Sequence, residues 1–140
     1  MNNRFQIASM LVAYRYAKNQ TQSDVSKILD VTFQQIQKYE KMNNGISAVS
    51  LLTFCNAYQI PFDSFQNGDA YQVLDGADIS IIKKEKALNI IEKLYYKKIM
   101  EPLIVNNNMD NKKINKLKQL KTKEEKMAYY ISQLGENNIN

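Results

Sequence analysis

The chain has 140 residues, 44% of them hydrophobic and 24% charged, with a net charge of +5; this is ordinary globular composition, with room for one domain or one domain and an appendage. With no histidine and a single cysteine, a disulfide within the chain and a Cys/His zinc site are excluded. No apolar run approaches the roughly 20 residues that span a bilayer, and no signal-peptide pattern precedes Arg4, so the expectation is a cytoplasmic protein without a membrane partner.

The first element in chain order is an amphipathic helix in which Ile7, Met10, Leu11 and Tyr14 recur at i, i+3, i+4 and i+7, ending at Asn19, a residue suited to a helix C-terminus. Thr21 to Glu40 then reads as two short helices joined by a tight turn. Val25 and Leu29 share one face of the first, and Ile36 and Tyr39 one face of the second. Thr21 is an N-cap, and Thr32 with Gln35 spells a capping box. Only Asp30 and Val31 remain as connector, with Asp able to take a left-handed backbone.

The chemistry lies on what these two helices leave outside. With Ile36 and Tyr39 turned inward, the second helix presents Phe33, Gln34, Gln37 and Lys38, and its first turn offers free N–H groups beside Thr32. Such a face suits a major groove: Gln pairs with adenine, Lys donates to guanine, and an aromatic edge meets a thymine methyl. Gln22 opens the preceding helix, where its amide and the helix N-terminus can hold a phosphate. For any one of these residues an ordinary solvated face competes, because Gln and Lys are good helix formers. The partner that the face suits is double-stranded DNA.

Downstream, Ser47 caps a helix carrying Leu51, Phe54, Cys55 and Tyr58, with Cys55 read as core. Pro61 marks a break, after which Phe62 and Phe65 plug a fifth short helix onto the bundle. Residues 1–68 therefore form one unit, 69–77 a linker, and 78–140 a helical C-terminal region. In that region Asp78 caps a helix striped by Ile81, Leu88, Ile91, Leu94 and Tyr95 that ends before Pro102. A polar break at 106–111 leads to a short stripe of Ile114, Leu117 and Leu120 among lysines, read as a solvated face. Thr122 and Glu125 make a second capping box for a helix bearing Met127, Ile131 and Leu134 and closed by Gly135. These helices are too short to stand alone in water. The simplest cover is a second copy, a homodimer joined through Ile81, Leu88, Ile91, Tyr95, Met127, Ile131 and Leu134; the alternative is folding back onto the chain's own bundle.

The segment 5–68 resembles the Cro/C1-type helix-turn-helix regulators, also called the XRE family. Gln22 matches the Gln that opens that family's second helix, and Thr32, Phe33, Gln34 and Gln35 look like the start of its recognition helix. Arg15 and Glu40 match an Arg in helix one paired with a Glu closing the recognition helix. A branch common among alphaproteobacterial regulators is similar to V-T-F-Q-Q-I-Q-K-Y-E-K at 31–41, N-x-I-S-A at 44–48 and the later I-P-F-D-S-F. The resemblance implies an all-α, five-helix, lambda-repressor-like domain, which the periodicity described above follows with a helical extension. It also implies backbone contacts from Lys41 and Asn43 beside Gln22 and Thr32, and a structural ion pair between Arg15 and Glu40. The sequence departs from the pattern at Asp30 for the turn Gly, Ser26 for a packed Ala, Met42 for the Gly after the recognition helix, and Gly45 for an Arg, which removes a basic group from the 41–47 loop.

The expectation is a bacterial, dimeric, sequence-specific regulator, a repressor reading a pseudo-palindromic site with half-sites about 34 Å apart. No His, Gly-rich phosphate loop, nucleophile–base arrangement or close carboxylate pair supports an enzyme, and no cofactor or metal is expected. Residues 1–66 carry six Lys+Arg against four Asp+Glu, so the reading head is barely basic. Two other classes stay open: a protein-interaction module of antitoxin or phage type, and a nucleoid-associated binder without sequence preference. An effector pocket among Tyr95, Tyr96, Tyr129 and Tyr130 competes with those aromatics being core.

Overall fold

The computed structural model describes residues 3–105, and every regular element among them is helical. The order is α1 (Asn3–Ala17), α2 (Gln22–Leu29), α3 (Phe33–Glu40), α4 (Ala48–Tyr58), α5 (Ser64–Asn67), α6 (Ala70–Asp75), α7 (Ile81–Tyr95), a π turn (Tyr96–Met100) and α8 (Glu101–Val105). The expectations placed beyond residue 105, including the stripe at Ile114, Leu117 and Leu120, the box at Thr122 and Glu125, and Met127, Ile131 and Leu134, lie outside the described residues.

The helices begin where short polar side chains cap them. Thr21 and Asp24 form a reciprocal capping box, the Asp24 N–H donating to Thr21 Oγ1 at 3.0 Å and the Thr21 N–H to Asp24 Oδ2 at 2.9 Å. At α3 only the hydroxyl half of the expected box forms, Thr32 Oγ1 accepting the Gln35 N–H at 3.1 Å. Ser47 accepts the Ser50 N–H at 3.1 Å at the start of α4. Helix α7 is capped by Ser80, which accepts the Lys83 N–H at 3.2 Å, and not by Asp78.

The first four helices all close the same way. Asn19, Asp30, Met42 and Gln59 sit at φ of 57°, 53°, 62° and 56°, and no glycine does. After each, the next N–H reaches back five residues: Gln20 to Arg15, Val31 to Ser26, Asn43 to Lys38 and Ile60 to Cys55. This is the Schellman closure, usually given to glycine because a β-carbon is strained there. The sharp turn at Asp30 and the departure at Met42 are thus two instances of one device.

Helix α1 is the centre of the molecule. Its expected stripe meets the N-terminal helices: Leu11 with Val25, Leu29, Ile36 and Phe54 encloses the core under α2, α3 and α4. Phe65 plugs this side, its ring 5.7 Å from Tyr14 and 6.0 Å from Phe54, whereas Phe62 stays 49% exposed and plugs nothing. A second stripe of Phe5, Ala8, Ser9 and Val12, together with Met10 and Ala13, is equally buried. It is covered by α6 and α7. The stretch read as a linker is therefore largely helix: Asp69 caps Ala70–Asp75, and Leu74 is fully buried.

The α7 stripe folds onto its own chain. Leu88, Ile91 and Tyr95 are buried, and the Tyr95 ring stands edge-on to Phe5 at 5.2 Å. These three residues are consumed inside one copy and cannot form the dimer surface assigned to them; of the described members of that set only Ile81, 75% exposed, lies outside. A stripe's spacing shows that it needs cover but not whose, and the nearest apolar surface was the far side of α1. The helical path also runs through Pro102. The Glu101 N–H donates to the Tyr96 carbonyl, five residues back, and this wider turn leaves room where Pro102, which lacks an N–H, enters the first turn of α8.

Gly68 marks the crossing from one side of α1 to the other. A β-carbon there would overlap the Ser64 carbonyl oxygen and lie 2.6 Å from Met10 Cε, while Gln6 Nε2 donates to the Gly68 carbonyl at 2.6 Å.

Candidate nucleic-acid interface

Three elements converge on Glu40. Arg15 from α1 donates through Nε to Oε2 at 2.7 Å and through Nη2 to Oε1 at 2.9 Å, and Gln22 from α2 donates through Nε2 to Oε1 at 3.1 Å. Arg15 Nη1 also donates to the Gln20 carbonyl at 3.2 Å, and its guanidinium lies 4.7 Å from the centre of the Tyr16 ring. Both charges are buried. Burial works against the Arg15 charge, but its hydrogen bonds and attraction to Glu40 outweigh that and hold the guanidinium above its ordinary value. A fork of this kind is directional. It ties the last turn of α3 to both α1 and the start of α2, so the outer face of α3 is set at one angle.

On that outer face Phe33, Gln34 and Lys38 are exposed, while Gln37, one turn beyond Phe33, is half-buried. Thr32 is exposed with its hydroxyl engaged in the cap. Gln22 is half-buried and spends one amide N–H on Glu40. Lys41 follows α3 in the open, and exposed Asn43 accepts a hydrogen bond from Lys98 Nζ at 3.2 Å. The four residues expected at base edges thus share one element. Of the four expected on a backbone, Gln22 and Thr32 sit at the starts of α2 and α3, and Lys41 and Asn43 sit past the end of α3.

Reading along the chain missed the residues that distant segments bring here. Arg4 reaches the 41–47 loop, its Nη2 3.8 Å from where a β-carbon on Gly45 would stand, and Lys98 joins the same loop through Asn43. The basic group absent from position 45 is thereby matched in space by charges from α1 and the π turn. Lys83 donates to Asn19 Oδ1 in the loop before α2. With Ile90 it forms one wall of an open groove of about 480 Å³ whose other walls include Tyr16, Gln22 and Phe33. The signal for Lys83 was its place on a lysine-bearing flank of α7; nothing local pointed to Arg4.

Cys55 is buried in α4, and burial pushes its thiol up, which suits core packing and not nucleophilic chemistry. Among the described residues no His, Cys, Asp or Glu cluster is placed to hold a metal, and no helix is long and apolar enough to cross a membrane.

Over 62 residues, 44% of its length, the chain is 36% identical to a protein of Rickettsia conorii and to one of Rickettsia prowazekii, each named an uncharacterized HTH-type transcriptional regulator. The match covers 50% and 48% of those two proteins, so the chain spans about half the length of the curated relatives it matches. No family model matches the chain, and no solved structure does. In sequence, then, it is similar to helix-turn-helix transcriptional regulators, and the all-helical architecture of its described residues is consistent with that.

Proposed function

We propose that the chain is a sequence-specific DNA-binding regulator of transcription, of the Cro/C1 type, with α3 as its recognition helix. The observation that carries this reading is the fork of Arg15, Glu40 and Gln22. A buried ion pair is a poor source of stability compared with apolar packing, but it is a good way to hold one helix at a fixed angle, and a helix that must enter a groove tolerates little misplacement. Beyond the fork, Phe33, Gln34, Gln37 and Lys38 meet base edges while Gln22, Thr32, Lys41 and Asn43 meet the backbone. The regulator acts as a homodimer on a pseudo-palindromic operator and represses, since its described part is taken up by the reading head and its support. Interaction with another protein, and DNA binding without sequence preference, are the readings that this one displaces.

Selection of bound duplexes from a random library by the full-length protein tests it. The expected result is a two-fold symmetric consensus with half-sites about one helical turn apart. Gln34→Ala should then weaken binding to that consensus by about 1–3 kcal/mol and relax preference at one base pair. Recovery of no consensus at low salt overturns the regulator reading.

A further inference from the structure

Helix α7 and the π turn that continues it carry more positive charge than the reading head beside them. Between residues 81 and 98 there are six lysines and two glutamates, a surplus of four, against a surplus of two over residues 1–66. The charges are also sorted. Lys83, Lys86, Lys93 and Lys97, all open to solvent, fall with Ile90 on one side of the buried stripe, at i, i+3, i+7, i+10 and i+14. Glu85 and Glu92, seven apart, fall on the other side.

A helix built only to be solvated interleaves opposite charges three or four residues apart, where they attract. Here neither glutamate has a lysine at that spacing, while Lys83 with Lys86 and Lys93 with Lys97 put like charges there. The helix accepts repulsion along one flank, which a polyanion lying against it would relieve. That flank borders the reading helices. Its first lysine bonds to Asn19 in the loop that enters α2, Lys98, next to the last one in the π turn, bonds to Asn43 in the loop that leaves α3, and Lys83 and Ile90 share a groove with Gln22 and Phe33. From Lys83 to Lys97 the flank extends about 21 Å at 1.5 Å per residue, long enough to follow several phosphates of one strand.

We infer that α7, with the π turn that continues it, is a second DNA-contacting element, its Lys83, Lys86, Lys93 and Lys97 flank lying against the phosphate backbone of the duplex whose bases α3 reads. This rests on the DNA-binding reading above and adds a division of labour: α3 supplies preference, and α7 supplies affinity that is blind to sequence. The test is duplex binding by the full-length chain across a series of salt concentrations, for the unaltered protein and for the combined K83Q, K86Q, K93Q and K97Q variant, with helicity checked by circular dichroism. Exposed lysines leave the fold intact when replaced. The expected result is that the variant loses affinity equally for the selected consensus and for a random duplex, that the slope of log K against log salt shrinks by about 0.9 for each phosphate no longer neutralised, and that the selected consensus is unchanged. A variant with the parental slope overturns this inference alone. An unaltered chain that binds no duplex overturns the DNA reading and this inference with it.

Discussion

The two sides of α1 are held by different physics. Towards α2 and α3 the decisive contact is polar: a buried guanidinium, a carboxylate and an amide, each fixed by the direction of its hydrogen bonds. Towards α6 and α7 it is apolar and close, with Phe5 against Tyr95 and the small Ala8, Ser9 and Ala13 letting the helices approach. Apolar packing adds stability in proportion to area and tolerates small sliding; a bidentate fork adds little net stability and tolerates almost none. The side that must present a surface at a set angle uses the fork, and the side that must only stay covered uses area.

Removing one partner on the polar side should have the largest effect. Glu40→Ala strands the buried Arg15 charge, and the expected loss is about 3–5 kcal/mol in urea unfolding. Converting the pair together, Arg15→Met with Glu40→Leu, should recover most of that stability while leaving duplex preference impaired; full recovery of preference would show that the fork does not set the angle of α3. On the apolar side, Tyr95→Ala should cost about 2–4 kcal/mol as burial and the edge-on packing with Phe5 disappear, in a single transition shared with the reading half and with the selected consensus unchanged. Separate transitions for the two sides would break the view of α1 as a shared core.

Much of the reading half was legible because its determinants are local. Thr21, Thr32 and Ser47 announce helix starts within four residues of the groups they satisfy, and Asp30 is a residue type that permits the turn it makes. The other half was read less well because its determinants are relational. Leu88, Ile91 and Tyr95 mark a face that must be covered, and periodicity cannot name the cover. A clue did exist in α1: Phe5, Ala8, Val12 and Ala13 make that helix apolar on the side away from Ile7 and Leu11, and a helix apolar all round is a buried one. The placements of Arg4 and Lys98 beside the loop after α3 follow only once α1 and α7 are known to lie antiparallel, one end of each near that loop.

Two smaller effects bear on the helix ends that frame both sides. Gln59 is left-handed and open to solvent, so Gln59→Gly should raise stability by about 0.5–1 kcal/mol in the same urea assay, relief of backbone strain exceeding the added freedom of the unfolded chain. At the start of α2, the Thr21 backbone and side chain hold the Asp24 carboxyl below its ordinary value. A carboxyl depressed by folding stabilises the protein above its unfolded value of about 3.9 and loses that contribution as pH falls through its lower folded value. Asp24→Asn should therefore flatten the acid limb of the stability curve slightly and leave the neutral plateau's pH slope unaltered.

Gly68 bears on how the molecule can be divided. The chain passes there so close to Met10 and Ser64 that no side chain fits, and Gln6 clasps its carbonyl, so the point where the sequence changes character is a seam sewn to α1 and not a free joint. A fragment cut at that seam would carry away a helix with one flank tailored for a lining it no longer has: Phe5, Ala8 and Val12 would meet water, and the severed half would stick to its neighbours.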